Sequence, residues 1–243
     1  MDLNSLRPFF LWQPTDIICK TIENTTQFGC ISPDPLPYKV KFKTTDPATY
    51  IARRIEAVLG DIIYSDTPAV DGGKTASTIF FGLESHVTTA HGIKSDSQFV
   101  DTLQDEVRRR GAMDKLITDR GSVCVCDKTV SFLRAIFTNS WQSKPYHKHQ
   151  NPVECGYQDV KRFVNKVLNM TGTPAFLWLC ALMWVLYILN HSYCEAIGGI
   201  PLTKLTGQMV DISNLFQFQF YEKVYYYEQK TVLRIQTWIP VQQ

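Results

Sequence analysis

"KLITDRGS", residues 115–122, decides how the rest of this chain is read. Lys-Leu-Ile-Thr has the make-up of a β-strand, and Arg-Gly turns the chain away directly after Asp119. An Asp at a strand's C-terminal tip is an ordinary turn residue. It also serves as a metal ligand when other carboxylates reach the same place. The flanking sequence therefore has to say which other acids converge there.

Working upstream, residues 99–110 carry an amphipathic helical pattern that stops at Gly111, and Ser95 with Gln98 gives it a capping-box start. "VTTAHGI" (87–93) and "TASTIFFGL" (75–83) read as strands. "DIIYSD" (61–66) reads as a buried strand ending on Asp66, joined to the next through a "DGG" turn at 71–73, so that the two form a hairpin. "PATYIARRIEAVLG" (47–60) predicts a short helix ending at Gly60. Residues 1–45 are proline-rich with little periodicity and read as an irregular extension.

Downstream, the pattern predicts a helix near 128–137, a short strand near Trp141, a polar loop "QSKPYHKHQNP" (142–152) and a helix over about 152–170. Asn151, Pro152 and Glu154 supply an N-cap, a proline at the first helical position and an acid in the first turn. Tyr157, Val160, Phe163, Val164, Val167 and Leu168 recur at helical spacing as its buried stripe. Glu154, Gln158, Lys161 and Asn165 share another face. "AFLWLCALMWVLYIL" (175–189) is apolar throughout. At about 1.5 Å per residue it spans about 22 Å, short of a bilayer core of about 30 Å, and it reads as a buried core helix. The tail from 192 clusters aromatics, with short strands expected.

The order strand-strand-strand-helix-strand-helix-strand-helix-helix predicts one mixed α/β domain over 55–205, preceded by an extension (1–54) and followed by another (206–243). With 44% hydrophobic and 20% charged residues, the 243-residue chain can build a proper core. A net charge of +2 excludes a global positive field, so any nucleic-acid contact must come from local clusters. Seven cysteines, none in a C-x-x-C pair, predict reduced thiols in an intracellular protein rather than a disulfide framework. The N-terminus lacks the basic start and apolar run of a signal peptide.

Asp66, Asp119 and Glu154 are the acids this pattern can gather. Mg²⁺ prefers a few hard carboxylate oxygens plus substrate phosphates. Two ions about 3.5–4 Å apart can activate an attacking oxygen and stabilise a leaving one. Each acid alone also has a plain structural reading: a turn, a strand end, a helix start.

A resemblance decides among the 23 acidic residues. "SDTPAVDGGKTASTIFFG", "GIKSDSQFVDTLQDEVRRRGAMDKLITDRGS", "HQNPVECGYQDVKR", "TGTPAFLWL" and "PLTKLTG" together resemble the catalytic core of retroviral and retrotransposon integrases, the DDE recombinases of the RNase H-like fold. The likeness runs over residues 61–207 and is greatest to copia-type elements of algae such as diatoms. It implies a five-stranded mixed sheet flanked by helices, with irregular extensions at both ends. It also implies a divalent-metal-dependent polynucleotidyl transferase that inserts element DNA into a target.

On this resemblance Asp66, Asp119 and Glu154 are the catalytic and metal-binding triad for two Mg²⁺ or Mn²⁺ ions. There are 52 residues between the first two and 34 between the second and third. Asp71, in a Gly-Gly turn, is the rival for the first place. Lys144, His147 and Lys148 in the loop, with Gln158 and Lys161 on the helix, are the expected nucleic-acid contacts. Lys is common in the family where Gln158 stands, which weakens one contact. His147 and His149 lack partners at zinc-finger spacing. Residues 1–60 hold no His, so the family's zinc module is not expected. The partners implied are element and target DNA and further copies of the chain, with no membrane, and the place implied is the nucleus. Two rivals stay open: a nucleic-acid-binding remnant without chemistry, and a nuclease of the same fold that cuts without joining.

Overall fold

The computed structural model describes residues 3–27, 50–119, 126–142 and 152–224, with the side chains of 152–156 outside that set. Its centre is a five-stranded sheet in the order β3-β2-β1-β4-β5. The strands are β1 (Arg53–Tyr64), β2 (Ala76–Gly82), β3 (Thr88–Ile93), β4 (Ala112–Thr118) and β5 (Asn139–Gln142). β1, β2 and β3 pair antiparallel as a meander, and β4 and β5 join parallel. The parallel pairs need crossovers, supplied by α2 (Phe99–Arg110) before β4 and α3 (Asp127–Ala135) before β5. α1 (Thr15–Glu23) precedes the sheet; α4 (Pro152–Thr171), α5 (Trp178–His191) and α6 (Pro201–Thr206) follow it.

The expected helix at 47–60 is not present in its described part. Residues from Arg53 onward belong to β1, which runs continuously through Gly60 and Asp61. Ala, Arg, Glu and Leu favour a helix, but the tertiary partners decide: β1 has β2 on one side and β4 on the other. The alternation is hidden in the sequence because the inward positions at its start are Arg54 and Glu56. Both are buried and satisfied there. Arg54 donates to Glu56 at 2.9 Å and to Glu106 of α2 at 2.9 Å.

Strand parity sends alternate residues of β1 to opposite layers. Val58 and Ile62 join Phe80, Met113 and Leu116 against Phe99 and Leu103 of α2 and Leu133 of α3. Leu59 and Ile63 join Ile79, Phe81, Ala90 and Ile117 against Tyr157 and Val160 of α4 and Leu179 and Leu182 of α5. β2 is buried at every position, as a central strand covered on both faces must be.

Gly111 ends α2 and returns the chain into β4. Its φ is +92°, and a Cβ there would lie 2.8 Å from the Ala52 carbonyl oxygen. That close approach lets Ala112 N–H donate to the same oxygen at 2.7 Å, setting β4 beside the start of β1.

Within the N-terminal extension, a 3-10 turn (Arg7–Phe10) and α1 form. Phe10, Leu11 and Ile18 are buried with Val185 and Ile188 of α5 and with Val210 and Ile212. The described part of the tail carries a 3-10 turn (Ser213–Phe216) and two isolated bridges, Cys194 to Gly199 and Thr26 to Asp211, in place of the expected strands. α5 is packed between one face of the sheet and the N-terminal extension as a core helix, and among the described residues no helix is long and apolar enough to cross a membrane.

Candidate active site

β4 ends at Thr118, and Asp119 follows at its tip, exposed to solvent. The register pairs Leu59 with Ile117 and Gly60 with Thr118. The next step of that parallel ladder sets Asp61 beside Asp119, with adjacent strands about 4.8 Å apart. Parity assigns both acids to one face. Asp61 alternates with Leu59 and Ile63, and Asp119 with Ile117, all of which pack toward α4 and α5.

The electrostatics agree with this placement. Burial pushes the Asp61 carboxyl up, the negative charge of Asp119 pushes it further, and the Ile62 N–H and the Lys161 ammonium oppose both. The Ile62 N–H donates to Asp61 Oδ1 at 2.8 Å. A like charge beside the half-buried Asp61 resists its ionisation, and a bound cation relieves that cost.

α4 lies over this pair. Tyr157 is buried, and its hydroxyl donates to the Ile79 carbonyl at 3.5 Å. Ile79 is the residue paired across the ladder from Asp61. Burial holds the phenol far above its ordinary range, and the Asp61 charge adds to the effect. Lys161, one turn further along, is exposed, and its charge acts on Asp61. Glu154 is in the first turn of α4, seven residues before Lys161. At 3.6 residues per turn those two positions share an angular place on the helix. Gln158 is exposed on α4.

The residues singled out from the sequence are therefore distributed unevenly. Asp66 lies in the bend after β1, exposed, two residues past the strand's end at Tyr64, and outside the ladder that holds Asp119. Asp71 is in the following turn, paired with Lys74 at 2.6 Å. Lys144, His147, Lys148 and the side chain of Glu154 lie outside the described residues. Among the described residues no three His, Cys, Asp or Glu side chains gather to hold a metal ion. The acids brought together there are a pair, Asp61 and Asp119.

Sequence patterning misses Asp61 because it makes that residue the start of a short strand rather than the middle of a long one. The signal is present nonetheless. An acid inside "VLGDII" has apolar neighbours on both sides, where an unpaired charge is costly, whereas Asp66 precedes Thr-Pro in a turn that suits any Asp.

Three solved structures share this architecture. The HTLV-2 integrase catalytic core domain, in complex with magnesium and in a trimeric form, aligns with a TM-score of 0.50 at 15% identity, over 62% of this chain and 95% of that one. The catalytic core domain of BIV integrase aligns with a TM-score of 0.50 at 15% identity, over 62% and 93%. A chain of the simian T-cell lymphotropic virus intasome, in complex with PP2A regulatory subunit B56 gamma, aligns with a TM-score of 0.53 at 14% identity, over 76% of this chain and 62% of its own length. No protein-family model matches the sequence, and comparison with curated proteins finds no match. The likeness establishes the fold: a mixed α/β sheet of the integrase catalytic-core kind.

Proposed function

We propose that this chain is a divalent-cation-dependent polynucleotidyl transferase that cleaves and joins DNA, an integrase of the retrotransposon type. The observation that carries the reading is the placement of Asp61 and Asp119 one step past the last pair of the β1–β4 ladder, Gly60 with Thr118, close enough for the Asp119 charge to act on Asp61, in a fold shared with integrase cores. In this reading Asp61 takes the role that sequence alone gives to Asp66, with Asp119 second and Glu154, from the first turn of α4, third.

The donor set suits the cation. Carboxylate oxygens are the ligands Mg²⁺ prefers, and Asp61, whose ionisation is made costly by burial and by the Asp119 charge, gains from a shared positive charge. The magnesium reported with the HTLV-2 core supports the same ion here. Bound between these acids, two such ions would polarise the phosphate and favour both the attacking and the leaving oxygen.

The chain's own residues do the rest. Asp61 has to give up its proton before it binds a cation, so metal affinity falls as pH drops through its raised folded pKa. Tyr157 ties α4 to the β1–β2 ladder and so sets the distance between the helix and the acids. Lys161 and the loop carrying Lys144, His147 and Lys148 hold backbone phosphates, with Gln158 as a weaker neutral contact. Such contacts position DNA without reading its sequence. Further copies of the chain on the DNA, action in the nucleus and a copia-type origin belong to the same reading.

Labelled duplex ends incubated with Mg²⁺ or Mn²⁺ test it. Joined products support an integrase. Cut products alone make it a nuclease, and shifted but intact DNA makes it a binding remnant.

A further inference from the structure

A second concentration of charge lies at the opposite end of β1. Eight residues separate Arg53 from Asp61, about 26 Å along an extended strand. There a cavity of about 420 Å³ opens between the start of β1, the end of α2 and α6, with Arg53, Arg109, Arg110 and Lys204 in its walls. A neighbouring cavity of about 340 Å³ shares Arg109 and Arg110 in its walls. The end of α2 alone explains the three consecutive arginines as complements to its carbonyl pole. It does not explain why Lys204 of α6 faces the same opening; Arg53 of β1 is held there by the Ile136 and Phe137 carbonyls, to which its guanidinium donates while keeping its charge.

The acids nearby leave the excess of positive charge standing. Glu56 is spent internally: it accepts from Arg54 at 2.9 Å, from the Ser85 N–H at 2.9 Å and from the Ser85 hydroxyl at 2.9 Å. Arg54 is likewise committed to Glu56 and Glu106. Glu84 is the remaining acid in that wall. Two nearby histidines sense these charges, with burial the larger cause in both. Burial holds His86 below its ordinary range and the Lys204 charge lowers it further, against the Glu56 charge. His191 is lowered by burial and by Arg110, against the pull of the Tyr187 carbonyl.

We propose that these cavities form a second DNA-backbone-holding groove, in which Arg109 and Lys204 contact the phosphates of a duplex segment separate from the one at the acid pair, with the charges of Arg53 and Arg110 behind them. The proposal rests on the reading that the chain acts on DNA, and it deepens that reading. A reaction that joins one DNA to another must hold two segments at once. A row of cations contributed by three elements matches the repeating charge of a phosphodiester chain better than it matches a single carboxylate. Arginine supplies forked donors for phosphate oxygens.

The test is the salt dependence of duplex binding by the full chain without divalent metal, followed by fluorescence anisotropy. Arg109→Gln/Lys204→Gln should bind about tenfold more weakly near 0.1 M salt. Its plot of log K against log [salt] should be shallower by about 2, as expected for two lost phosphate contacts. Arg109→Glu/Lys204→Glu should bind more weakly still. Both side chains are on the surface, and a wild-type circular dichroism spectrum confirms that the variants fold. Wild-type affinity and slope in both variants would overturn the proposal, as would loss of binding to a poly-glutamate peptide with duplex binding intact, which makes the groove an acidic-protein surface. The cleavage assay separates the two claims. If Asp61→Asn kills cleavage while the groove variants bind normally, the groove assignment fails and the enzyme stands. If the groove variants lose DNA while Asp61→Asn cleaves normally, the groove stands and the acid-pair assignment fails.

Discussion

Asp61 carries most of the weight at the scale of single residues. Its folded pKa is raised by burial and by Asp119. For an acid shifted upward, ionisation costs the folded state more than the unfolded one. That cost is present above the folded pKa and disappears as pH falls below the unfolded value. Asp61→Asn is therefore expected to raise the melting temperature of the metal-free protein at pH 7.5, by an amount that shrinks toward pH 4; calorimetric scans across that range measure it. Glu106 has the opposite sign. Full burial alone would raise its carboxyl, yet His91, Arg54 and Thr89 together hold it below the ordinary range. Its stabilisation is present above the unfolded pKa and lost as pH falls through the depressed one. Glu106→Gln should cost about 3–5 kcal/mol at pH 7, because it leaves Arg54 short of a buried partner, with a smaller cost in acid. Urea titrations at two pH values decide it.

The same residue shows what the sequence can and cannot disclose. The end of β4 just before Asp119 is legible because an apolar strand pattern stops at Asp-Arg-Gly. Asp61 is not, because Arg54 and Glu56 break the apolar alternation that would extend β1 back to Arg53. Their partners, Glu106 and Ser85, are 52 and 29 residues away in the chain. Burial of a charge depends on such distant partners, which local patterning does not contain.

At the scale of elements, the pleat of β1 and the placement of α4 together make the site. β1 and β4 fix the acid pair through their register, and α4 brings Tyr157 and Lys161 to it. The stripe from Tyr157 to Leu168 is readable in advance as helical periodicity, and the structure buries Tyr157, Val160 and Val167 along it. That Tyr157 also reaches the ladder at Ile79 is not readable, since it depends on how the helix packs. Tyr157→Phe keeps the ring in the core and removes the hydroxyl. It should lower stability by about 0.5–1.5 kcal/mol, the usual net worth of one hydrogen bond, and reduce metal-dependent cleavage by more than that loss of folded protein explains. Turnover at saturating metal, compared with the unfolding midpoint, separates the two effects.

For the whole molecule, the mixed α/β class follows from the alternation of strand and helix patterns between residues 61 and 191, whereas the order of the strands is set by tertiary pairing. The role of the N-terminal stretch does not follow from the pattern, because its apolar residues are irregularly spaced and their partners lie far along the chain. The structure seats Phe10, Leu11 and Ile18 against Val185 and Ile188, beneath the helix that also covers the sheet. Deleting residues 1–27 uncovers that surface, so the urea midpoint should fall markedly and the product should aggregate; light scattering and denaturation of the shortened chain check this.

The central claim, that Asp61 and Asp119 jointly grip a divalent cation, is tested most directly by calorimetric titration of Mn²⁺ into the wild-type chain and three single variants. Asp61→Asn and Asp119→Asn should each weaken binding by about tenfold or more, while Asp66→Asn stays close to wild type. Loss of binding in Asp66→Asn with Asp61→Asn unchanged would contradict it.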